Sequence, residues 1–187
     1  WRFAIGRTTH EALQNEIMPH IGPEWQGWWD CVECRETLKG QKLDGGALSH
    51  KWIPRPERCS WCGGTEMAYR ELFFRSDEYM LTGHCDGIMV WFEDVKDVDG
   101  LEVSLPEWDE VIDFKTVDPL VFRHRDPKHG GSVMEEHEWQ LNGYMRFFRV
   151  PRGRMVYVPK DQDPSVLAAF VEWELEINPK IVTAIET

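Results

Sequence analysis

The sequence predicts an α/β (α+β) domain in which one helix precedes three strands and a second helix precedes a further strand. Three apolar runs of strand length, rich in β-branched and aromatic residues, lie at 66–74, 81–92 and 109–116. Between about 135 and 150 apolar residues recur at helical spacing, and 154–158 is again strand-like. A chain of 187 residues is long enough for one domain with its own core.

The first helix is predicted to begin at Thr8, whose hydroxyl can cap it while Glu11 reaches back from three residues later. Pro19 ends this helix. His10 therefore lies in the first turn. Taken alone, His10 is better explained as a surface or capping residue than as a metal ligand. The motifs described below favour the ligand.

The segment 22–64 is rich in Trp, Gly, Pro and Cys and carries two CxxC pairs about two dozen residues apart. Such pairs are typical of a zinc ribbon, in which four thiolates surround one Zn²⁺. Disulfides are disfavoured because no secretory feature is present. Redox-active cysteines are also disfavoured, because a redox CxxC motif would not occur as two pairs that each form a tight metal-binding turn, or knuckle. The sequence therefore predicts a four-cysteine zinc ribbon at 22–64, inserted into a core formed by 1–21 and 65–187. Its ligands would be Cys31, Cys34, Cys59 and Cys62.

Two carboxylates are predicted to meet between the second and third strands. Asp113 and Lys115 lie two residues apart in the strand 109–116 and so project from the same face. For an isolated D-x-K pair, a structural ion pair is the simplest explanation. The preceding apolar run, 79–92, places Asp86 between two glycines. Each strand could therefore direct one carboxylate towards a shared point.

The charge distribution bears on a nucleic-acid partner. A net charge of −12 disfavours one, because phosphate contacts need Lys and Arg. However, the segment 114–160 holds nine Lys or Arg against five acids, whereas 93–113 holds nine acids and one Lys. The segment 117–134 is predicted to be a loop whose basic residues follow the strand with Asp113. The predicted DNA contacts are Arg123, Arg125, Lys128 and Arg146.

The C-terminal third is predicted to contain two helices around the strand 154–158. In the first of them, Gln140 and Tyr144 lie four residues apart and share a face. A last helix is predicted to open at Asp163 and Pro164. It would carry Val166, Phe170, Trp173 and Ile177 at helical spacing, and end at Asn178 and Pro179.

Four short segments, taken in order, resemble the successive motifs of a known superfamily. They are GRTTH (6–10), GHCDG (83–87), IDFK (112–115) and QLNGY (140–144). The superfamily is that of the PD-(D/E)xK nucleases, in its RecB-like and Cas4-like exonuclease branch. The resemblance runs from about Gly6 to Tyr144. It implies a restriction-endonuclease-like αβββαβ core, with a central mixed sheet flanked by helices.

The resemblance implies a divalent-metal-dependent DNA nuclease, acting as an exonuclease on single strands or duplex ends. Asp86 and Asp113 would supply the hard oxygen ligands that Mg²⁺ or Mn²⁺ prefers. The backbone carbonyl of Phe114 and the imidazole of His10 would complete the set, and the imidazole makes Mn²⁺ at least as suitable as Mg²⁺.

The remaining motif residues would act around these ions. Lys115 would position or deprotonate the attacking water. Gln140 and Tyr144 would reach the scissile strand or orient Lys115. The family often has a further acidic residue before its strand motif, and Glu110 is a candidate, although its spacing fits poorly.

The resemblance alone does not decide whether the cysteines bind zinc or an iron–sulfur cluster. Cas4-like nucleases often hold an iron–sulfur cluster through one N-terminal and three C-terminal cysteines. Beyond the second CxxC pair the chain contains only Cys85, which disfavours that arrangement and favours zinc. Cys85 itself is predicted to be a buried apolar residue.

Two other hypotheses are compatible with the same sequence. The domain could be a non-catalytic module that recognises DNA ends or a partner protein through its zinc ribbon, although the intact D-x-K sequence disfavours this. The zinc ribbon could also be joined to an unrelated enzyme core. With no apolar run long enough to span a membrane, we expect an intracellular protein, bacterial or viral in a host cell. Its protein partners would belong to recombination, replication or CRISPR adaptation.

Overall fold

The computed structural model describes residues 10–20, 24–43, 47–93, 105–160 and 171–187. They form a central mixed sheet with helices packed against it, which confirms the predicted fold class. The strands are β1 (Trp25–Cys31), β2 (Thr37–Leu38), β3 (Ile53–Pro54), β4 (Met67–Arg70), β5 (Leu72–Ser76), β6 (Leu81–Cys85), β7 (Gly87–Glu93), β8 (Leu105–Val117), β9 (Arg152–Pro159) and β10 (Val171–Glu176). The α-helices are α1 (Pro119–Arg123), α2 (Glu135–Phe148) and α3 (Pro179–Ile185).

The main sheet has the central strand order β10-β9-β8-β7-β1-β2, and β3 and β4 also pair with β1. Strands β7 and β8 are antiparallel, with Gly87 opposite Ile112. Strands β8 and β9 are parallel, with Lys115 opposite Tyr157. Parallel pairing needs a crossover connection, and α2 lies within it. Strands β5 and β6 form a separate antiparallel hairpin.

Strand β8 is covered on both faces, and each face buries apolar side chains of the strand. On one face, Val111 belongs to the core cluster that contains Leu141 and Met145 of α2. On the other face, Ile112 and Phe114 belong to a second cluster with Leu13 and Trp25. Because side chains alternate along a strand, Asp113 and Lys115 share the Val111 face and lie on the side of α2.

Helix α2 lies where the sequence predicts a helix, and its buried stripe includes the predicted Leu141, Met145 and Phe148. The three glutamates in its first turn interact favourably with the positive end of the helix dipole. The helix ends at Arg149, which has a left-handed φ of 59° and donates its backbone N–H to the carbonyl of Met145.

Two predicted strands are each broken into two. The run 66–74 divides at Glu71 into β4, which pairs with β1, and β5, which pairs with β6. The run 81–92 divides at Asp86 into β6 and β7. Apolar periodicity cannot show such breaks, because it does not reveal which neighbour each half pairs with.

The last predicted helix is wrong where the structure describes it. Residues 171–176 form β10, which pairs antiparallel with β9, so that Trp173 lies opposite Met155. The segment VEWELE alternates apolar and acidic residues, the period of a half-buried strand. Asn178 and Pro179 begin α3 instead of ending a helix, because the Asn178 side chain accepts the N–H of Lys180. Asp163, Pro164, Val166 and Phe170 lie outside the described residues.

The segment 22–64 is not separate from the main sheet, as an insertion would be. Its strand β1 pairs with β7, with Gln26 opposite Ile88, and is buried along most of its length. A Cβ atom at Gly87 would lie 2.0 Å from the Trp25 ring, so this position needs glycine for β1 to pack there. Strand β1 therefore belongs to the main sheet, and the part that carries the cysteine pairs begins at its last residue, Cys31.

The ends of two other predicted elements differ in detail. Residues 10–20 are helical, but they continue as a π-helical turn, Leu13–Ile17, and a 3-10 turn, Met18–His20. Thr8 and Gly6 lie outside the described residues. The predicted loop 117–134 contains α1 and a 3-10 turn, Pro127–His129, each capped by an aspartate. No described helix is long and apolar enough to cross a membrane.

Candidate functional site

Asp86 lies at the break between β6 and β7 and is buried, with 6% of its surface exposed. Its Oδ2 accepts the backbone N–H of Phe114 at 2.6 Å, which ties it to β8. Its Oδ1 accepts a hydrogen bond from Gln14 Nε2 at 2.9 Å and lies 3.5 Å from His10 Nδ1. The structure therefore brings Asp86 and His10 together, as the sequence predicts.

Asp113 and Lys115 form an ion pair on the α2 side of β8. Lys115 Nζ lies 2.7 Å from Asp113 Oδ2, and only 2% of the surface of Asp113 is exposed. Apart from this ion pair, Oδ2 has no hydrogen-bond partner among the described residues. The Lys115 ammonium only partly compensates a carboxylate that is buried beside Asp86, so Asp113 is a candidate metal ligand.

Burial and the neighbouring charges shift the pKa values of Asp113 and His10. Burial, together with the negative charge of Asp86, raises the pKa of Asp113 to about 7, and the ion pair with Lys115 only partly opposes this. Burial acts to lower the pKa of His10, but the hydrogen bond to Asp86 and its charge outweigh burial and raise it. Two carboxylates and an imidazole therefore form a centre that a divalent cation would stabilise.

We expect Asp113→Asn to stabilise the metal-free protein above neutral pH. The folded-state pKa of Asp113 exceeds the unfolded value of 3.8, so its contribution to stability is complete below pH 3.8 and is lost as the pH rises towards 7. Asparagine removes this loss, on the order of 1–3 kcal/mol at pH 8.

Thermal unfolding in EDTA at pH 4.5 and pH 8 measures this effect. The variant should exceed the parent in Tm only at the higher pH. Asp77→Asn is a suitable control, because the Asp77 side chain is 81% exposed. A variant less stable than the parent at pH 8 would contradict the proposed cause.

Glu71 is a further acidic residue at this site that the sequence does not reveal. It lies at the break between β4 and β5, and Leu72 pairs with Cys85, so the two breaks bring Glu71 beside Asp86. Gln14 Nε2 donates to both, at 3.0 Å to Glu71 Oε1 and 2.9 Å to Asp86 Oδ1. No local motif could have indicated a contact that depends on two strand breaks.

Glu110 does not belong to this centre. It lies three residues before Asp113 and therefore on the opposite face of β8. There it is buried and accepts hydrogen bonds from Arg154 Nε at 3.0 Å and from Trp91 Nε1 at 3.3 Å. Glu110 has a structural role in an ion-pair network, which explains why its spacing fits the motif poorly.

Gln140 and Tyr144 face the same site from α2. They are hydrogen-bonded to each other, and Tyr144 is buried. Burial, and secondly the charge of Asp113, raises the pKa of Tyr144, so the phenol stays protonated and can donate a hydrogen bond. A Cβ at Gly83 would lie 2.9 Å from the Tyr144 ring. The glycine of the GHCDG segment therefore allows the close approach of Tyr144.

His137 is a second residue that the sequence analysis does not single out. It lies one turn before Gln140 on α2, and its Nδ1 is 3.0 Å from the hydroxyl of Tyr157, the residue opposite Lys115 in β9. Burial and the nearby Lys115 charge lower the pKa of His137. Its spacing from Gln140 and Tyr144 on one helical face is the signal that could have identified it.

The four basic residues predicted to contact DNA differ in their surroundings. Arg123 and Lys128 are exposed. Arg125 donates to the carbonyl of Ser132. Arg146 forms an ion pair with Glu186 at 2.6 Å. Their role in DNA binding stays a prediction, and Arg146 would first have to leave its carboxylate partner.

The four cysteines of the CxxC pairs form a compact cluster. The Sγ atoms of Cys31 and Cys62 lie 3.5 Å apart, those of Cys34 and Cys59 lie 3.6 Å apart, and all four lie within 4.8 Å of one another. Thiolates around a tetrahedral Zn²⁺, at about 2.3 Å from the ion, are about 3.8 Å apart. The cluster can therefore hold one metal ion.

The two knuckles have matching backbone geometry. The residue after the second cysteine of each pair, Arg35 or Gly63, has a left-handed φ, 63° and 79° respectively. In the second knuckle, the N–H groups of Trp61 and Gly64 point at Cys59 Sγ and Cys62 Sγ, both at 3.4 Å. Backbone N–H groups, foremost that of Cys62, lower the pKa of Cys59 to about 7. Thiolate formation is thus favoured there.

No model of a known protein family matches the chain. Among curated proteins there is likewise no match. A solved structure titled "Crystal structure of SSO0001" is similar at 18% identity and a TM-score of 0.33, and the alignment covers 65% of this chain and 39% of that chain. The chain thus spans well under half of that protein, and a likeness at this TM-score supports no conclusion.

Proposed function

We propose that this protein is a divalent-metal-dependent nuclease that hydrolyses phosphodiester bonds of DNA, as an exonuclease on single strands or duplex ends. The observation that supports this most directly is the grouping of Asp86, Asp113 and Lys115. Both carboxylates are buried, Asp86 is hydrogen-bonded to β8 at Phe114, the residue after Asp113, and the Lys115 ammonium lies 2.7 Å from Asp113. Chemistry on a phosphodiester needs this combination of cation ligands and a positively charged group.

The donor set suits Mg²⁺ or Mn²⁺. Asp86 and Asp113 provide hard oxygen ligands, and among the described residues Asp113 Oδ2 pairs with Lys115 Nζ alone. The backbone carbonyl of Phe114 and the imidazole of His10 could complete the coordination, and Glu71 joins the same centre through Gln14. When bound, such an ion compensates the charge of the transition state and lowers the pKa of the attacking water.

The protein side chains would hold the reacting groups in place. Lys115 would position the water or accept its proton, and its pairing with Asp113 keeps it beside the ligands. Tyr144, held by Gln140, would donate a hydrogen bond to a phosphate oxygen of the scissile strand. Gln14 fixes the orientation of Asp86 by donating to its Oδ1.

We further propose that the cysteine cluster holds a structural Zn²⁺. Four thiolate ligands leave no open coordination position, which is typical of a structural site and unlike a catalytic one. An iron–sulfur cluster on the same ligands is the less favoured alternative. A brown chromophore in protein purified without oxygen would identify it.

Purified protein should degrade end-labelled DNA when Mn²⁺ or Mg²⁺ is present and not in EDTA. Digestion of 5′- and 3′-labelled single and double strands over time, with each metal, measures both activity and direction. Binding without cleavage under Mg²⁺, Mn²⁺ and Co²⁺ would contradict the nuclease assignment and favour the non-catalytic DNA-end or partner-binding module.

A further inference from the structure

An open groove lies next to the acidic centre, formed by Glu71, Asp86 and Asp113, on its β5–β6 side. It is a cavity of about 850 Å³ whose lining includes Gln14 and Glu71, the two residues that also contact or adjoin Asp86. The groove therefore begins where the acidic centre ends. The four residues predicted from sequence to contact DNA are not part of it.

Strand β5 presents a row of side chains along this groove. Residues 71, 73 and 75 share one face because side chains alternate, whereas Leu72 and Phe74, between them, are buried. Along the row, a carboxylate at the acidic centre is followed by the aromatic ring of Phe73 and then by the guanidinium of Arg75. Adjacent members of such a row are roughly 7 Å apart. The row leads outward from the centre.

The aromatic ring in this row is partly exposed to the groove and lies beside a second ring that also lines it. Phe73 is 36% exposed, and its ring centroid lies 4.9 Å from that of His84 on β6. His84 is in turn 3.6 Å from Glu71. A partly exposed ring held by a second ring is a suitable platform for stacking a nucleobase.

Three cations also line the groove. Lys39 lies over the Trp28 ring at 4.3 Å from its centroid. Arg70 and Arg75 pair with Asp30 and Asp77, but these ion pairs are solvent-exposed and therefore weak. With the carboxylates of Glu11 and Glu71, which also line the groove, these three cations leave it a balance of +1, in contrast with the net charge of −12 of the whole chain.

We propose that this groove binds the single-stranded DNA that enters or leaves the acidic centre, with a base stacked on Phe73 and phosphates held by Lys39 and Arg75. The inference rests on the proposed nuclease function and adds the path of its substrate. Stacking on an aromatic ring requires an unpaired base, so the groove selects single strands over duplex.

Fluorescence anisotropy with a labelled oligo(dT) of about 12 nucleotides tests this path. Ca²⁺ is used in place of Mg²⁺ or Mn²⁺, and a gel verifies that the oligonucleotide stays intact during the measurement. Phe73→Ala should weaken binding roughly fivefold to hundredfold with an unchanged salt slope. Lys39→Ala and Arg75→Ala should each reduce the slope of log K against log salt by about 0.7.

Two matched controls are available. Phe92→Ala removes a phenylalanine with the same 36% exposure on β7 of the main sheet, and Lys180→Ala removes an exposed cation of α3. Neither should change affinity. Phe73→Trp should retain binding, which separates stacking from folding, and thermal unfolding should confirm that each variant is folded.

The outcomes separate the groove from the chemistry. The groove would be overturned, whether or not the parent cleaves DNA, if Phe73→Ala and Phe92→Ala changed the affinity equally. It would also be overturned if duplex DNA bound more tightly than single strands and Phe73→Ala left duplex binding unchanged. If the groove variants lose binding but no metal supports cleavage, the groove stands and the nuclease assignment fails. A parent that binds no single-stranded DNA would also exclude the groove.

Discussion

Replacing Lys115 with alanine is expected to reduce Mn²⁺-dependent DNA cleavage by about 10²- to 10⁴-fold, the usual contribution of a group that handles a proton in the transition state. Lys115 Nζ lies 2.7 Å from Asp113 Oδ2 and is only 20% exposed, so no solvent cation takes its place easily. Asp113→Ala should be at least as severe, because it removes a proposed metal ligand.

The measurement is the initial rate of digestion of an end-labelled oligonucleotide at several Mn²⁺ concentrations. Lys115→Ala should lower the rate at saturating metal, whereas Asp113→Ala should also raise the metal concentration needed. Lys180→Ala serves as the matched lysine control. If Asp113→Ala and Lys115→Ala are as active as the parent, the nuclease assignment is wrong.

The difference between these variants also tests whether Mn²⁺ binds at Asp113. Binding of Mn²⁺ should raise the Tm of the parent and of Lys115→Ala, because a ligand that binds only the folded state stabilises it. It should raise the Tm of Asp113→Ala much less. Equal stabilisation of all three proteins would place the ion elsewhere.

The double substitution Cys31→Ser with Cys34→Ser is expected to release the zinc and loosen the surrounding segment. Structural zinc contributes about 10–16 kcal/mol of apparent binding free energy in zinc-finger peptides, which is available only in the folded state. A small segment around the cysteines has too little core to fold without it. Zinc content per chain should fall from one to zero.

The structure predicts that loss of zinc also affects strand β1, outside the two CxxC turns. Cys31 is the last residue of β1, and β1 pairs with β7 in the main sheet. Loss of the metal should therefore increase proteolysis near the cysteine pairs and also hydrogen exchange in β1. Asp86 and Asp113 are held by β7 and β8, so Mn²⁺-dependent cleavage of a short oligonucleotide should persist if the main sheet stays folded.

Cys85→Ala is the control for this experiment, because Cys85 is buried and donates its S–H to the Gly87 carbonyl, outside the cluster. It should retain one zinc per chain. Retained zinc after the double substitution would rule out the four-cysteine site. Zinc loss with residual cleavage of short substrates but poor action on long ones would place this segment in substrate engagement.

Several parts of the site follow from sequence because they depend on short-range periodicity. Asp113 and Lys115 share a face of β8 because alternate residues of any strand do. Gln140 and Tyr144 share a face of α2 because they are one turn apart. The cysteine cluster follows from local knuckle spacing, which fixes each pair before the pairs meet.

Other parts depended on which strands pair, which periodicity does not encode. Glu71 and Gln14 reach Asp86 only because β4–β5 and β6–β7 break at facing positions. The segment VEWELE carries a strand period, but its neighbours suggested a helix, and pairing with β9 decided between them.

The mixed α/β class, the ion pair of β8, the helix that faces it and the four-cysteine cluster are predictable from the sequence, since each depends on residues close along the chain. Tertiary structure decided that β1 belongs to the main sheet and that Glu110 lies away from the centre. It also decided that a groove with Phe73 opens beside Asp86. These features arise from long-range pairing, whose free energy depends on the whole sheet and not on any local pattern.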